Sequence, residues 1–184
     1  MKKLILSAMA VFAFGFANAQ STALSEGSWL VEANTNFGAG SFGGTALAHS
    51  SNTSFSFTSV SDAFTSWSLG GEAGYFIMDN LAIKAGLGYG SFKPEFGNDI
   101  STFSYKLGAK YYIMGQFPVQ VDYTGASIKD ADENPSFVGL QAGYAWFVAD
   151  NISIEPGIRY ALTMNEDAFA EDVLQLNIGF ALHF

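Results

Sequence analysis

Residues 66–92 read SWSLGGEAGYFIMDNLAIKAGLGYGSF, and they decide the fold. Trp67, Leu69, Gly71, Ala73, Tyr75 and Ile77 alternate with Ser66, Ser68, Gly70, Glu72 and Gly74. After Asp79-Asn80 the pattern resumes, with Leu81, Ile83, Ala85, Leu87 and Tyr89 set against Ala82, Lys84, Gly86, Gly88 and Gly90. The period is two, so both runs are strands rather than helices. A tight Asp-Asn turn between them makes a hairpin. Glu72 and Lys84 share one parity, which leaves the opposite face without charge.

The same alternation extends in both directions. It predicts strands over Trp29–Phe37, Ser66–Ile77, Leu81–Phe92, Thr102–Ile113, Phe117–Gly125, Phe137–Val148, Ile152–Leu162 and Val173–Phe184. Strands of about ten residues match a tilted membrane span. Short turns at Asp79-Asn80, Gly115-Gln116 and Asp150-Asn151 alternate with longer polar stretches at 38–65, 93–101, 126–136 and 163–172. Short periplasmic turns and long outer loops belong to an all-β, eight-stranded, antiparallel up-and-down transmembrane barrel. Ten strands follow instead if residues 40–60 add two inside the membrane. The 70–89 hairpin also resembles 139–160, with Gly-Tyr at 74–75 and 143–144 and Asp-Asn at 79–80 and 150–151, as an internal duplication would leave.

The strand charges separate a barrel from a soluble sandwich. Glu32, Glu72, Lys84, Lys106, Lys110, Asp122, Glu155 and Arg159 all fall on the polar parity, four acids against four bases. A cation on the lipid face costs about 2–4 kcal/mol at the bilayer midplane, whereas a soluble sandwich would carry charge on its outer face. Eight strands leave an interior that side chains fill, and ions there need partners. The expectation is a lumenal polar network among these eight residues. The aromatics sort by height. Trp29, Tyr75, Tyr111 and Trp146 lie near the short turns, and Trp67, Tyr89, Tyr105, Tyr123 and Tyr160 toward the long loops, as two membrane girdles would.

The composition agrees. Charged residues are 14% of the chain, aromatics 16%, and there are 20 glycines, against about a quarter charged in soluble domains. The net charge of −9 gives nucleic acid no electrostatic attraction, and the absence of cysteine removes disulfides and thiolate metal sites. Lys2-Lys3, the apolar run Leu4–Phe16 and Ala17-Asn18-Ala19 form a secretory leader over 1–19, leaving 20–184 as the barrel domain. With the leader lysines removed and the lumenal charges cancelling, the loops, turns and N-terminal stub are strongly acidic.

The C-terminal run Leu176-Asn177-Ile178-Gly179-Phe180-Ala181-Leu182-His183-Phe184 resembles the terminal strand that the outer-membrane assembly machinery reads. Together with the leader and the repeated Gly-Tyr hairpins, residues 25–184 resemble the small OmpA/OmpX-like outer-membrane β-barrel family. That resemblance implies a bacterial outer-membrane location and contact with membrane lipid and lipopolysaccharide. It also implies an assembly signal at Phe180, Leu182 and Phe184.

No catalytic set, cofactor or metal site is expected. His49 and Ser51 form a His-x-Ser pair like part of a lipid A deacylase motif, but in a loop rather than on a late strand. Asp130, Asp132 and Glu133 lack the glycine and distal glutamate of a calcium loop. Glu166, Asp167, Glu171 and Asp172 could hold divalent cations against lipopolysaccharide phosphates. His183 faces inward at the periplasmic rim and is expected to complete the polar plug. Phe42, Phe55, Phe57 and Phe64 leave two readings of the first loop: a variable surface loop, or a ribbon extending beyond the membrane with an edge open to a partner strand. Three functions follow: a structural or surface-interaction, adhesin-like barrel acting through its outer loops; a narrow conduit for small molecules; and a lipid A-modifying enzyme.

Overall fold

The computed structural model describes residues 23–37, 53–60, 64–95, 97–129, 133–165 and 172–184. The strands in chain order are β1 (Trp29–Phe37), β2 (Ser56–Val60), β3 (Phe64–Met78), β4 (Leu81–Pro94), β5 (Ile100–Ile113), β6 (Phe117–Ile128), β7 (Ser136–Gly143), β8 (Trp146–Ala149), β9 (Ile152–Thr163) and β10 (Val173–His183). Neighbours in the sheet run β1, β10, β9, β7, β6, β5, β4, β3, and β3 returns to β1, so the sheet closes. Because β8 continues the course of β7 and β2 is a short addition, the wall is an eight-stranded antiparallel barrel.

Its outer surface is aliphatic. Leu69, Leu87 and Leu107 stand 61–63% exposed on three adjacent strands. A water-soluble protein rarely leaves so broad an apolar face open, whereas lipid solvates it without penalty. The inner parity is buried from end to end.

Turn chemistry sets the periplasmic end. Met114 and Gly115 both have positive φ, 53° and 71°, and Gln116 N–H donates to the Ile113 carbonyl at 3.1 Å. This is the mirror-image turn whose twist matches a hairpin. Asn80 takes φ 66° in the β3–β4 turn, a conformation Asn tolerates better than most residues.

The expected single strand Phe137–Val148 is interrupted. Gly143 pairs with Gly157 and Trp146 with Ile154, so the register is unchanged across the gap. Tyr144 N–H donates to the Pro156 carbonyl at 3.0 Å, but Pro156 has no N–H to return. One rung is therefore missing. Pro156 causes no bulge: its pairing with Ile178 on β10 lies in an unbroken register.

A second departure lies at the seam. β1 pairs with β3 only from Trp29↔Tyr75 to Glu32↔Glu72. Above that level β2 stands against β3, from Ser56↔Ser68 to Val60↔Phe64. Phe55 bridges Thr35 in parallel and donates its N–H to the Asn34 carbonyl at 2.6 Å. The loop expected over 38–65 thus contains a strand that wedges into the outer half of the wall. Phe57 faces outward opposite Trp67, and Phe55 lies one step deeper. Both sit at or below the outer aromatic level, so β2 lies within the wall at that height. It is a short addition to the eight-stranded wall, not the pair of extra strands of the ten-strand alternative.

Candidate functional site: a filled lumen

The barrel axis runs through three kinds of chemistry. At the periplasmic end is an apolar floor. Residues Ala23–Ser28 cross the mouth, held by Asn80 N–H to the Leu24 carbonyl at 2.7 Å and Gly27 N–H to the Phe76 carbonyl at 2.9 Å. Leu24 packs with Leu30, Phe76, Tyr112 and Phe147, all buried. These inward aromatics are not apparent from the alternation, because each sits on the polar parity where Gly, Ser and charge dominate. The signal that could find them is the run of adjacent aromatics at Tyr75-Phe76, Tyr111-Tyr112 and Trp146-Phe147. Each pair must send one ring out and one in.

His183 lies in this floor rather than in a polar plug. Its ring is 5.3 Å from Phe147, 6.2 Å from Phe76 and 6.1 Å from Tyr112. Nε2 lies 3.1 Å from Ser153 Oγ. Ser153 donates its hydroxyl proton to Glu155 Oε1 at 2.8 Å, so that proton is not aimed at the imidazole. Ser153 and His183 are fully buried. A serine, histidine and glutamate within reach of one another here do not make a nucleophile and base.

Above the floor the structure brings together all eight charges expected in the lumen, each at most 4% exposed. Lys110 Nζ lies between Glu32 Oε2, at 2.6 Å, and Glu155 Oε2. Glu155 also accepts from the Tyr112 hydroxyl at 2.9 Å. Lys84 Nζ reaches Glu32 Oε2 and Glu72 Oε2, both at 2.8 Å. Lys106 Nζ meets Glu72 Oε1 at 2.6 Å. Lys84 also donates to Gln120 Oε1 at 2.9 Å, and Gln120 Nε2 donates to Asp122 Oδ2 at 2.7 Å. Arg159 grips Asp122 with both terminal nitrogens, at 2.6 and 2.7 Å, a bidentate geometry that lysine cannot supply. One connected chain therefore runs from Glu155 to Arg159. Every charged group in it has an opposite charge or a neutral donor at hydrogen-bond distance, as burial in a narrow interior requires.

Glycine makes the space. A Cβ at Gly139 would run into the Arg159 guanidinium, and one at Gly108 into Asp122.

Toward the outside, the charges give way to hydroxyls on the β3–β5 side and to the buried apolar pair Phe137 and Ala161, packed against Val173, on the β7–β10 side. Ser54, Ser66, Ser68, Thr102 and Ser104 line a cavity with room for about a single water, ≈ 20 Å³. Thr53 and Ser54 come from the segment before β2 and are buried inside the barrel, with Thr53 Oγ1 donating to Glu72 Oε1 at 2.8 Å. A loop residue reaching the charged layer is a contact the alternation gives no sign of.

All nine girdle residues point outward: Trp29, Trp67, Tyr75, Tyr89, Tyr105, Tyr111, Tyr123, Trp146 and Tyr160. Trp29 meets Tyr75 edge-on at 5.1 Å near the periplasmic rim, and Trp67 tilts on Tyr89 at 5.9 Å near the outer one. The Tyr160 hydroxyl donates to Asp172 at 2.7 Å, at the base of the last loop. The Thr163 backbone N–H and the Tyr160 hydroxyl together hold the Asp172 carboxyl below its ordinary range. Phe180, Leu182 and Phe184 face outward on the closing strand, where Phe184 N–H donates to Trp29 O at 3.0 Å and Trp29 N–H to Phe184 O at 2.6 Å.

The leader (1–19), Phe42, His49, Ser51, Asp130, Asp132, Glu166, Asp167 and Glu171 lie outside the described residues. Among the described residues, no three His, Asp or Glu side chains gather to hold a metal ion.

The closed wall, apolar exterior and ionic interior define a membrane-spanning barrel of the outer-membrane type. Among solved structures, the fold is similar to that of the outer membrane protein Ail of Yersinia pestis. That match has a TM-score of 0.50 and 11% identity, over 86% of this chain and 100% of that one. The outer membrane protein OprG of Pseudomonas aeruginosa matches with a TM-score of 0.50 and 11% identity, over 87% of this chain and 97% of that one. No protein-family model matches the chain, and no curated protein does.

Proposed function

We propose that this chain is a resident of the bacterial outer membrane that works through its extracellular loops as a structural or surface-interaction protein, on a barrel closed to transport. The observation that carries this reading is the filled lumen: an apolar floor beneath a connected network of eight buried charges. A solute crossing it would have to break several charge-assisted bonds at once, each worth about 1.5–3 kcal/mol.

The leader over 1–19 exports the chain, and the outward apolar residues of β10, ending at Phe184, guide its assembly. Membrane lipid and the lipopolysaccharide leaflet are the immediate partners. The loops, rich in Ser, Gly and acids, face an extracellular partner. The described outer charges include Lys93, whose ion pair with Asp99 at 2.8 Å is exposed and ties the loop base rather than forming a ligand site.

The test is single-channel recording of the refolded barrel in planar bilayers. Silence from a sample that shifts in mobility on boiling supports the closed-lumen reading. Discrete conductance steps sink it and favour the conduit for small molecules. An altered lipid A mass in cells expressing the chain would favour the enzyme instead.

A further inference from the structure

The segment before β2 does something the rest of the wall does not. Thr53 and Ser54 run through the interior at the level of Gly70, Gly86 and Gly88, three inward glycines on adjacent strands. A Cβ on Gly70 would lie 2.8 Å from Ser54 N and 2.9 Å from the Thr53 carbonyl carbon. A Cβ on Gly86 would lie 2.8 Å from Thr53 Oγ1. Gly70 thus gives room to the segment's backbone, Gly86 to the Thr53 and Glu72 side chains, and Gly88 to the Ser104 hydroxyl, with Thr53 Cα 3.6 Å from where its own Cβ would lie. Two polar bonds seat the segment from below and behind: Thr53 Oγ1 to Glu72 Oε1 at 2.8 Å, and Ser68 Oγ to the Ser54 carbonyl at 2.9 Å.

Its backbone pairing on the other side is short. Towards β1, among the described residues, β-pairing is a single parallel bridge, Thr35↔Phe55, with the Phe55 N–H donating to the Asn34 carbonyl at 2.6 Å. Full-length neighbours in the wall pair over many more rungs; β4 and β5, for example, pair from Leu81↔Tyr111 to Phe92↔Ile100. Segments with few backbone bonds open first.

We propose that Thr53–Phe55 is a reversible stopper: it seats against Gly70 and Gly86, closes the β3–β4 side of the outer lumen over the Glu72–Lys106 pair, opposite the buried Phe137 and Ala161 that fill the other side, and withdraws to leave a blind polar well open to the cell exterior. Withdrawal leaves Lys84, Lys110, Glu32 and Glu155 and the aromatic floor in place below. The well therefore admits water and small polar molecules without conducting.

The chain contains no cysteine, so thiols can be placed singly. Ser104 is buried and lines, together with Ser54, the small cavity at the level of the stopper. The reporter is Ser104→Cys in the full mature chain, folded in vesicles with the loops outward and treated with a small charged methanethiosulfonate. The lock is Thr35→Cys with Phe55→Cys, both outward at the parallel bridge, oxidised to a disulfide. Reduction of the lock is expected to raise the labelling rate at the reporter about tenfold or more. Gly70→Val, which evicts the segment, is expected to do the same without any lock. Equal rates in the oxidised and reduced lock overturn the proposal, as does a reporter that stays unreactive after reduction. If Gly70→Val fails to give a heat-modifiable barrel, the lock decides alone. Conductance measured on the same vesicles reports on the closed-lumen reading separately, because a stopper that moves above intact ion layers leaves current unchanged.

Discussion

Lys110→Met tests whether the lumenal network stabilises the barrel or only fills it. Lys110 is fully buried, and its ammonium bridges Glu32 and Glu155. Methionine keeps the length and apolar stem but leaves the lumen with four acids and three bases. Removing one member of a buried ion pair costs about 3–5 kcal/mol, because the partner charge stays behind in a poorly solvated site. Both carboxylates here keep other donors. Glu32 retains Lys84 at 2.8 Å, and Glu155 retains the Tyr112 and Ser153 hydroxyls at 2.9 and 2.8 Å. The expected loss is therefore at the low end, about 3 kcal/mol. The assay is urea unfolding in lipid vesicles, followed by the fluorescence of Trp29, Trp67 and Trp146 and by gel mobility. Pairing Lys110→Met with Glu155→Gln removes the stranded charge, and the double variant should recover about 1 kcal/mol or more relative to the sum of the singles. A Lys110→Met barrel within about 0.5 kcal/mol of the parent, the range of an ordinary surface change, would falsify the reasoning. The charges would then be solvated by water in the lumen rather than by each other.

Other perturbations probe different layers. Leu107→Arg, at a mid-wall outward position, should cost about 2–4 kcal/mol in vesicles, and Trp146→Arg near the rim much less of its cost to charge; the same unfolding assay compares them, and equal costs would contradict the bilayer placement. Gly139→Ala puts a Cβ into the Arg159 guanidinium, which cannot step aside without losing its two bonds to Asp122, so about 1–3 kcal/mol should be lost, with Gly71→Ala, where a Cβ meets only the Glu32 carbonyl at 3.9 Å, as the mild control for glycine replacement. Pro156→Ala restores an N–H opposite the Tyr144 carbonyl, and hydrogen exchange should show a protected amide at 156; fast exchange there would mean the gap has another cause. The Asp172 carboxyl sits below its ordinary range because its ionised form accepts from Thr163 N–H and the Tyr160 hydroxyl. Its support of the loop base is therefore present above the unfolded carboxyl pKa and lost as pH falls through the lower folded one, so Thr163 amide exchange should quicken on acidification in the parent but not in Asp172→Asn.

The strands were legible because the bilayer imposes a simple rule. A residue facing lipid must be apolar, and one facing the lumen is free to be charged, so period and parity carry most of the information. That rule located the start of every strand pair around the periplasmic turns and set Glu32, Lys84 and Lys110 on a common face. It says nothing of height along the axis. Phe76, Tyr112 and Phe147 share a parity with Glu72, Lys110 and Gly143, and only the closure of the sheet shows that they meet as a floor. It also cannot anticipate Pro156 splitting a neighbouring strand, since the missing donor acts across the sheet rather than along it.

The wedge at β2 was hidden for a different reason. Sequence alternation reads a strand by contrast between two faces, and Ser56–Val60 is short and offers little: Ser56, Thr58 and Val60 share one parity, Phe57 and Ser59 the other. Its place is set by what is absent elsewhere: β1 lets go of β3 after Glu32, and Gly70, Gly86 and Gly88 leave a hollow where side chains would otherwise fill the interior. Inward glycines in the charged layers have a plain reading, room for the long arms of Lys and Arg. Gly70 serves a backbone instead. Gly139→Ala and Gly70→Val therefore ought to fail differently. The first should lower global stability with the loops still seated. The second should leave the lower barrel heat-modifiable while opening its outer mouth. Equal loss of stability in both, with no gain in labelling for Gly70→Val, would mean that the hollow is merely packing and the segment a fixed part of the wall.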